Sequence, residues 1–533
     1  MRPVLSALAL VTGAALLAAA AVGAAPAAPA QGGTLRVNLA SDFDAVDPAV
    51  ARTAASWQML QATCARLVTI PDWVDAREPR IVPEVASALP LVSRDGRTYT
   101  FTLRTDYRFS DGQRVTPAAF VRAIERVLDP RVASPAVPYV SDVVGAGDVL
   151  AGRATRPSGV TVDGNRLAIR LQRAAPDFLA RLASTFFCAV PPDLPALPGG
   201  VQAPLVSAGP YTLAQWTPRR SALLQRNPYY RGPRAGTVEQ IAFTMNVAAT
   251  ASVLQVRTGE ADLGPIPPTA HAELFREFGL GTRYFVKPSL TIVYLALNNA
   301  RPPFADVRAR KAVNYAIDRP ELVRQYGLLG GKRTDQIVPV GMPGYRDARL
   351  YPIRGARPDR ARALTPGLAG SKVVLVAGNR GSSPAVAQVV QYNLRQIGVD
   401  VEIRLLDPAV LPTYMGRRGS DWDIGVAGWS VDYADPFAFL GVLFDGRRIG
   451  PSNNTNLAYY DSASFNRRLD AAARLSGDAR YAALAKLDAD LMREDAPVAP
   501  YVVLNTRQFV AARVGCVRFV PLEGLSLAAL CLR

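Results

Sequence analysis

The chain has 533 residues, of which 49% are apolar and 20% charged, with a formal net charge of +17. That length is too great for one compact core and predicts two or three lobes. The positive charge comes from arginines scattered singly or in pairs such as Arg219-Arg220, a spacing that excludes the concentrated basic face of a nucleic-acid binder.

In chain order, Met1-Arg2-Pro3 gives one positive charge and Val4–Ala25 is an almost unbroken apolar, alanine-rich run. Small residues follow, with candidate cleavage points after Ala24 or Ala30. This pattern predicts a secretory signal over residues 1–30. The run is also long enough to span a membrane, so an uncleaved anchor is the alternative. No cysteine follows it, so the usual lipid attachment point is missing. The rest of the chain has no other long apolar segment, and the mature protein is expected to be soluble.

Thr34–Leu39 predicts a first strand. Thr98–Arg104 alternates, with Tyr99, Phe101 and Leu103 on one face and threonines on the other, the period of a half-buried strand. Thr116 and Pro117 predict a capped helix start, running to about Leu128. Val160–Val162 and Leu167–Leu171 flank Asp163-Gly164-Asn165, a hairpin signal. Asp306 caps a predicted helix with Ala309, Ala312, Val313, Ala316 and Ile317 at helical spacing. Another helix opens at Arg319-Pro320.

A β-α-β pattern follows: strand Lys372–Val376, helix Pro384–Ile397 stopped by Gly398, strand Val399–Leu405, and a further strand near Asp423–Ala427. Crossover helices predict a mostly parallel sheet. Helices are expected at Ser464–Leu475 and Asp478–Arg493, and strands at Val498–Leu504 and Val517–Val520. Apolar segments near Tyr284–Leu297 and Ala499–Asn505 link the two halves, and two crossings of this kind make a hinge.

Four cysteines, Cys64, Cys188, Cys516 and Cys531, suit an exported, disulfide-bonded chain and allow three connectivities. A local Cys516–Cys531 bridge and a Cys64–Cys188 staple at the base of a long excursion are the favoured pairing. A metal site is disfavoured, because there is no C-x-x-C spacing and His271 is the only histidine.

Five segments resemble, in order, the large extracytoplasmic solute-binding proteins of ABC importers, in the peptide/nickel-binding group. They are GGTLRVNLASDFDAVDP (Gly32–Pro48), DGRTYTFTLRTDYRFSDGQRVTPAAF (Asp95–Phe120), GPYTLAQW with RNPYYRG (Gly209–Trp216, Arg226–Gly232), LALNNARPPFADVRARKAVNYAIDR (Leu295–Arg319) and WDIGVAGWSVDYADPFAFL (Trp422–Leu440). The resemblance implies an α/β, two-lobed fold with mixed sheets, an inserted subdomain in the first lobe and a hinge of two crossovers. It implies a first lobe from residues 31–63, 182–285 and 506–533, an insert at 64–181 and a second lobe at 286–505. The Cys64–Cys188 bridge would then sit at the necks of the insert.

The resemblance also implies a site. Asp432, two residues beyond Gly428-Trp429-Ser430, matches the aspartate that holds a ligand amine, because burying an unpaired charge is expensive. Trp429 matches an aromatic wall, and Ser430 the backbone that pairs with ligand amides in strand fashion. The plainer alternative makes Asp432 a turn cap and Trp429 core. Asp42 and Phe43 match the ligand-facing turn of the first lobe, with loop and core as their alternatives. Tyr139 follows a Ser-Pro segment similar to one in peptide binders and is expected to reach the cleft from the insert. Asp435-Pro436 reads as a helix start, and Arg417-Arg418 as solvated surface.

Catalytic arrangements fit poorly. One histidine removes most general-base pairs, and His271, among polar neighbours, is expected on exposed helix surface. Gly428–Asp432 lacks the last glycine of a nucleophile elbow, and no histidine follows. Gly330-Gly331-Lys332 is followed by Arg333 where a phosphate loop needs Ser or Thr. The expectation is a monomeric, non-enzymatic receptor outside the cytoplasm, without a cofactor. It would deliver a small peptide or similar solute to ABC permease subunits. A nickel chelate, a glycan or another solute is the alternative, and a secreted carboxylate-dependent hydrolase is the rival of another class.

Overall fold

The computed structural model of the chain describes residues 32–71, 81–202, 204–234, 236–364, 368–431, 433–520, 522 and 524–533. The expected signal segment, residues 1–30, lies outside them, as does Asp432. Among the described residues no helix is long and apolar enough to cross a membrane.

The first-lobe sheet has the order Thr34–Asn38, Gln240–Thr244, Ser221–Arg226, Tyr211–Thr217, with only the first pair parallel. Alternation builds it: Leu35, Val37, Leu224, Ile241 and Phe243 are buried, while their neighbours face outward. The insert carries an antiparallel sheet of Leu91–Val92, Thr98–Thr102, Arg166–Arg170 and Val160–Asp163. Tyr99 and Phe101 point inward as their spacing predicts.

Helix Pro117–Leu128 covers the core of the insert with Phe120, Ile124 and Val127. Its expected cap, Thr116, has extended backbone but makes no side-chain capping bond. Arg126 turns inward from this helix and grips Asp47 of the Val46-Asp47-Pro48 turn with both terminal nitrogens. Both side chains are 1% exposed, and Asp47 also accepts from the Val201 backbone at 2.7 Å. A buried pair of this kind holds only when its charges are paired and hydrogen-bonded. Cys64 and Cys188, 124 residues apart, are bonded to each other, as are Cys516 and Cys531, so both favoured pairings occur.

The second-lobe sheet has six strands in the order Gly331–Arg333, Val498–Phe509, Tyr284–Leu297, Ile424–Ser430, Lys372–Gly378, Asp400–Leu406. Only the two pairings of Lys372–Gly378 are parallel. The expected mostly parallel sheet is therefore corrected. The two crossings enter as antiparallel strands at its centre, and partners more than a hundred residues away leave no local signal.

The first crossing spans Tyr284–Leu297 as predicted, the second runs longer than predicted, over Val498–Phe509, and the two pair from Tyr284↔Phe509 to Ala296↔Val498. Two irregularities interrupt them: Val293 faces Val502 but Tyr294 faces Pro500, and, more widely, Pro288 faces Asn505 but Ile292 faces Val503. Three residues there oppose one, a bulge that bends a ribbon. Ser289 donates across the bulge to the Leu504 carbonyl at 2.9 Å.

Candidate functional site

Strand Ile424–Ser430 runs between the Tyr284–Leu297 crossing and Lys372–Gly378. Its first residues are buried, while Gly428 and Ser430 are exposed at its end. Ser430 shares a 2.8 Å hydroxyl–hydroxyl bond with Thr291 of the crossing. Trp429 points to the opposite face, half-buried, and its indole donates to the Ala438 carbonyl at 3.1 Å. It therefore braces the helix Phe437–Leu443.

Beyond Ser430 the chain meets the insert. The Tyr433 phenol donates to Asp177 Oδ2 at 3.2 Å. Its ring stands edge-on to Tyr139, with centroids 5.6 Å apart at 77°. Tyr139 in turn packs on Phe186, and Phe186 on Trp57 of the first lobe. A line of aromatic rings thus runs from the first lobe through the insert to the residue that follows Asp432.

Charge organises the same contact. Arg181 forks onto Asp177 with two 2.9 Å bonds and reaches Asp142 at 2.9 Å. Arg480 forks onto Asp435 at 2.6 and 2.8 Å. Burial pushes the Asp177 pKa up, but Arg181 and, further off, Arg480 outweigh it and hold it below the ordinary 3.8. Burial, with Asp177 beside it, raises the Tyr433 phenol well above 10, so it remains a donor. A cavity of about 660 Å³ opens beside this contact, walled by Asp177 and Arg181 from the insert and by Phe437 and Arg447 from the second lobe.

The structure thus brings Tyr139 to the second lobe, next to the motif of Trp429 and Ser430. It does not bring Asp42 or Phe43 there. Phe43 is 4% exposed, edge-on to Phe243 in the first-lobe core. The Asp42 carboxylate accepts from the Trp216 indole, at 3.1 Å, and from the Arg219 backbone. Hydrophobic burial of the ring and three local donors, including the Phe43 N–H, explain their structural work. Asp435 does cap its helix, accepting from the Phe437 N–H at 2.8 Å, and it also holds Arg480.

His271 is corrected as well. It is 4% exposed and bonded through Nδ1 to the Tyr284 hydroxyl at 2.9 Å. Arg417 and Arg418 are exposed, as expected. Sequence reasoning missed Asp177, Arg181, Tyr433 and Arg480. The i,i+4 spacing of Asp177 and Arg181 was the one available signal.

Residues 80–451 match the family of bacterial extracellular solute-binding proteins, family 5 (middle region). The chain belongs to this family. It is similar to the periplasmic oligopeptide-binding protein OppA of Escherichia coli (strain K12), 25% identical over 453 residues and 78% of each chain. It is also similar to the probable deoxycholate-binding periplasmic protein YgiS of the same organism, 26% identical over 92% of this chain and 91% of the relative. Among solved structures, the clavulanic acid biosynthesis oligopeptide binding protein 2 superposes with a TM-score of 0.86 at 26% identity, covering 94% of this chain and 96% of the other. Family members are solute-binding proteins, and the relatives named periplasmic share this chain's two-lobed α/β fold.

Proposed function

We propose that this chain is an extracytoplasmic receptor that closes two lobes on a peptide-like solute and delivers it, as a monomer, to the permease of an ABC importer. The division into a first lobe (31–63, 182–285, 506–533), an insert (64–181) and a second lobe (286–505) belongs to this reading. So does the absence of catalysis. Relatives named for oligopeptides support the solute class.

The observation that carries the reading is the meeting of Tyr139 with Tyr433, because the lobes join beside the residue proposed to bind. Asp432 is the amine anchor, Ser430 offers strand backbone to ligand amides, and Trp429 stiffens the segment between them. An ionised amine entering a closed cleft needs a carboxylate partner.

Asp432→Ala tests the anchor. In calorimetry with trialanine and its N-acetylated form, the variant is expected to lose at least about 100-fold in affinity for the free amine, near the 3 kcal/mol of a charged hydrogen-bonded partner. The acetylated peptide is expected to be little affected. Equal losses for both, or none, would contradict the assignment.

A second reading follows from the relative described as probably deoxycholate-binding, which spans 92% of the chain. A bile acid carries a carboxylate and no amine. Under that reading Asp432→Ala leaves deoxycholate affinity unchanged or higher.

A further inference from the structure

A separate cavity of about 370 Å³ lies at the root of the two crossings. Its walls come from the end of strand Thr34–Asn38, the segment Leu263–Ile266, and Asn505, Arg507 and Gln508 of the returning crossing. We infer that this cavity receives a carboxylate of the bound solute, with Arg507 as its partner. As part of the solute site the inference rests on the receptor reading above. As a carboxylate pocket it is tested without that reading.

Three observations carry it. First, no Asp or Glu is among the described residues that line the cavity, although it contains an arginine. Second, Arg507 has no carboxylate partner among the described residues. Only Nη1 is engaged, donating to the carbonyls of Tyr326 (3.1 Å) and Leu328 (3.0 Å), which fixes the guanidinium and leaves Nε and Nη2 without an acceptor there. Third, the backbone N–H groups of Ala40, Gly264 and Ile266, residues lining the same cavity, donate to no acceptor among the described residues. A held guanidinium with free N–H groups around it suits an oxyanion, since charge-assisted bonds are the stronger kind.

The neighbourhood is short of negative charge. Burial lowers the Arg507 pKa, only partly offset by Tyr284. His271, on the cavity wall, is pushed down to about 4 by burial and by repulsion from Arg507. Gly264 belongs to the design, because a Cβ there would lie 2.3 Å from Ser252 Oγ and 2.7 Å from Asn38 Cβ. Along the Tyr284–Leu297 crossing, Arg507 faces Val286 and Ser430 faces Thr291. Because of the bulge, Val286 to Ile292 matches only the four steps from Arg507 to Val503, about 13 Å along the ribbon. Arg507 and Ser430 also stand on opposite sides of the crossing, two strand spacings or about 10 Å apart, and about five extended residues would fill the diagonal.

The single histidine provides a reporter. Acetate is titrated at about pH 6 against chloride at equal ionic strength, and the His271 imidazole is followed by NMR. A saturable shift is expected with acetate, at least about five-fold smaller in Arg507→Gln. A response no larger than that to chloride overturns the inference, and this arm needs no variant to fold. Calorimetry with pentaalanine, pentaalaninamide and deoxycholate separates the sources of the carboxylate. The wild type is expected to prefer pentaalanine over its amide by about ten-fold, and Arg507→Gln by less than about two-fold. Equal wild-type affinity for acid and amide overturns the assignment. If only deoxycholate binds and Arg507→Gln weakens it, the pocket stands and the peptide reading fails. If none of the three binds while acetate moves His271, the pocket again stands without that reading.

Discussion

Tyr433 touches the insert through one hydroxyl and one ring, and the two contributions are separable. Its bond to ionised Asp177 belongs to a class with net values of about 1.5–3 kcal/mol, and it forms only when the lobes meet. Tyr433→Phe keeps the ring against Tyr139 and leaves Asp177 paired with Arg181. Solute affinity measured by calorimetry is expected to fall about ten-fold, with the thermal midpoint nearly unmoved. Unchanged affinity would remove the hydroxyl from the closure.

His271 makes a second prediction, in pH. Its folded pKa of about 4 lies below the ordinary 6.5, so protons favour the unfolded chain. The stability that His271 contributes is complete above pH 6.5 and is lost as the pH falls toward 4. Asp488 opposes it in the same window. Burial raises this carboxyl to about 7 despite bonds from Gln336, Ile337 and Val338, so acid favours its folded form. Comparison with His271→Asn isolates the imidazole. Between pH 7 and 5 the wild type is expected to lose about 1–2 kcal/mol more than the variant in urea unfolding. Parallel profiles would contradict a buried neutral imidazole. The sequence hid this residue because its neighbours Thr269 and Glu273 are polar, while Tyr284, which buries it, lies 13 residues further on.

Elements were legible where their pattern is local. The alternation of Thr98–Thr102, the hairpin Val160–Asp163 with Arg166–Arg170, and the helices Pro117–Leu128 and Ser383–Arg395 stand close to where residue spacing puts them. The second-lobe sheet was not legible. Its β-α-β core is parallel, but Val498–Phe509 joins from the far end of the chain and forces antiparallel order on the centre. The bulge between Pro288 and Ile292 was equally invisible, since it exists only relative to a partner strand. It is the wider of two places where the ribbon between the lobes departs from regular pairing, the other lying between Val293 and Tyr294, and so the place where bending is expected to meet least resistance.

At the scale of the molecule, two features of the candidate site came from different sources. The motif around Trp429, Ser430 and Asp432 could be read from resemblance. The contact that gives it a partner, Tyr139 and Asp177 against Tyr433, depends on how three parts of the chain pack together. Asp42 and Phe43, which the motif puts on the first-lobe edge, are held within the first lobe: Phe43 packs in the core against Phe243, and half-buried Asp42 accepts from the Trp216 indole. The formal net charge of +17 is spread among many arginines, several of them buried in ion pairs. It does not select a solute. Selection belongs to the cleft, so the most direct test is mass spectrometry of the solute released when the purified, natively loaded protein is denatured. The account predicts short peptides with a free amine and a free carboxylate. Release of a solute lacking amide bonds, reproducibly and at near one equivalent per chain, would contradict it.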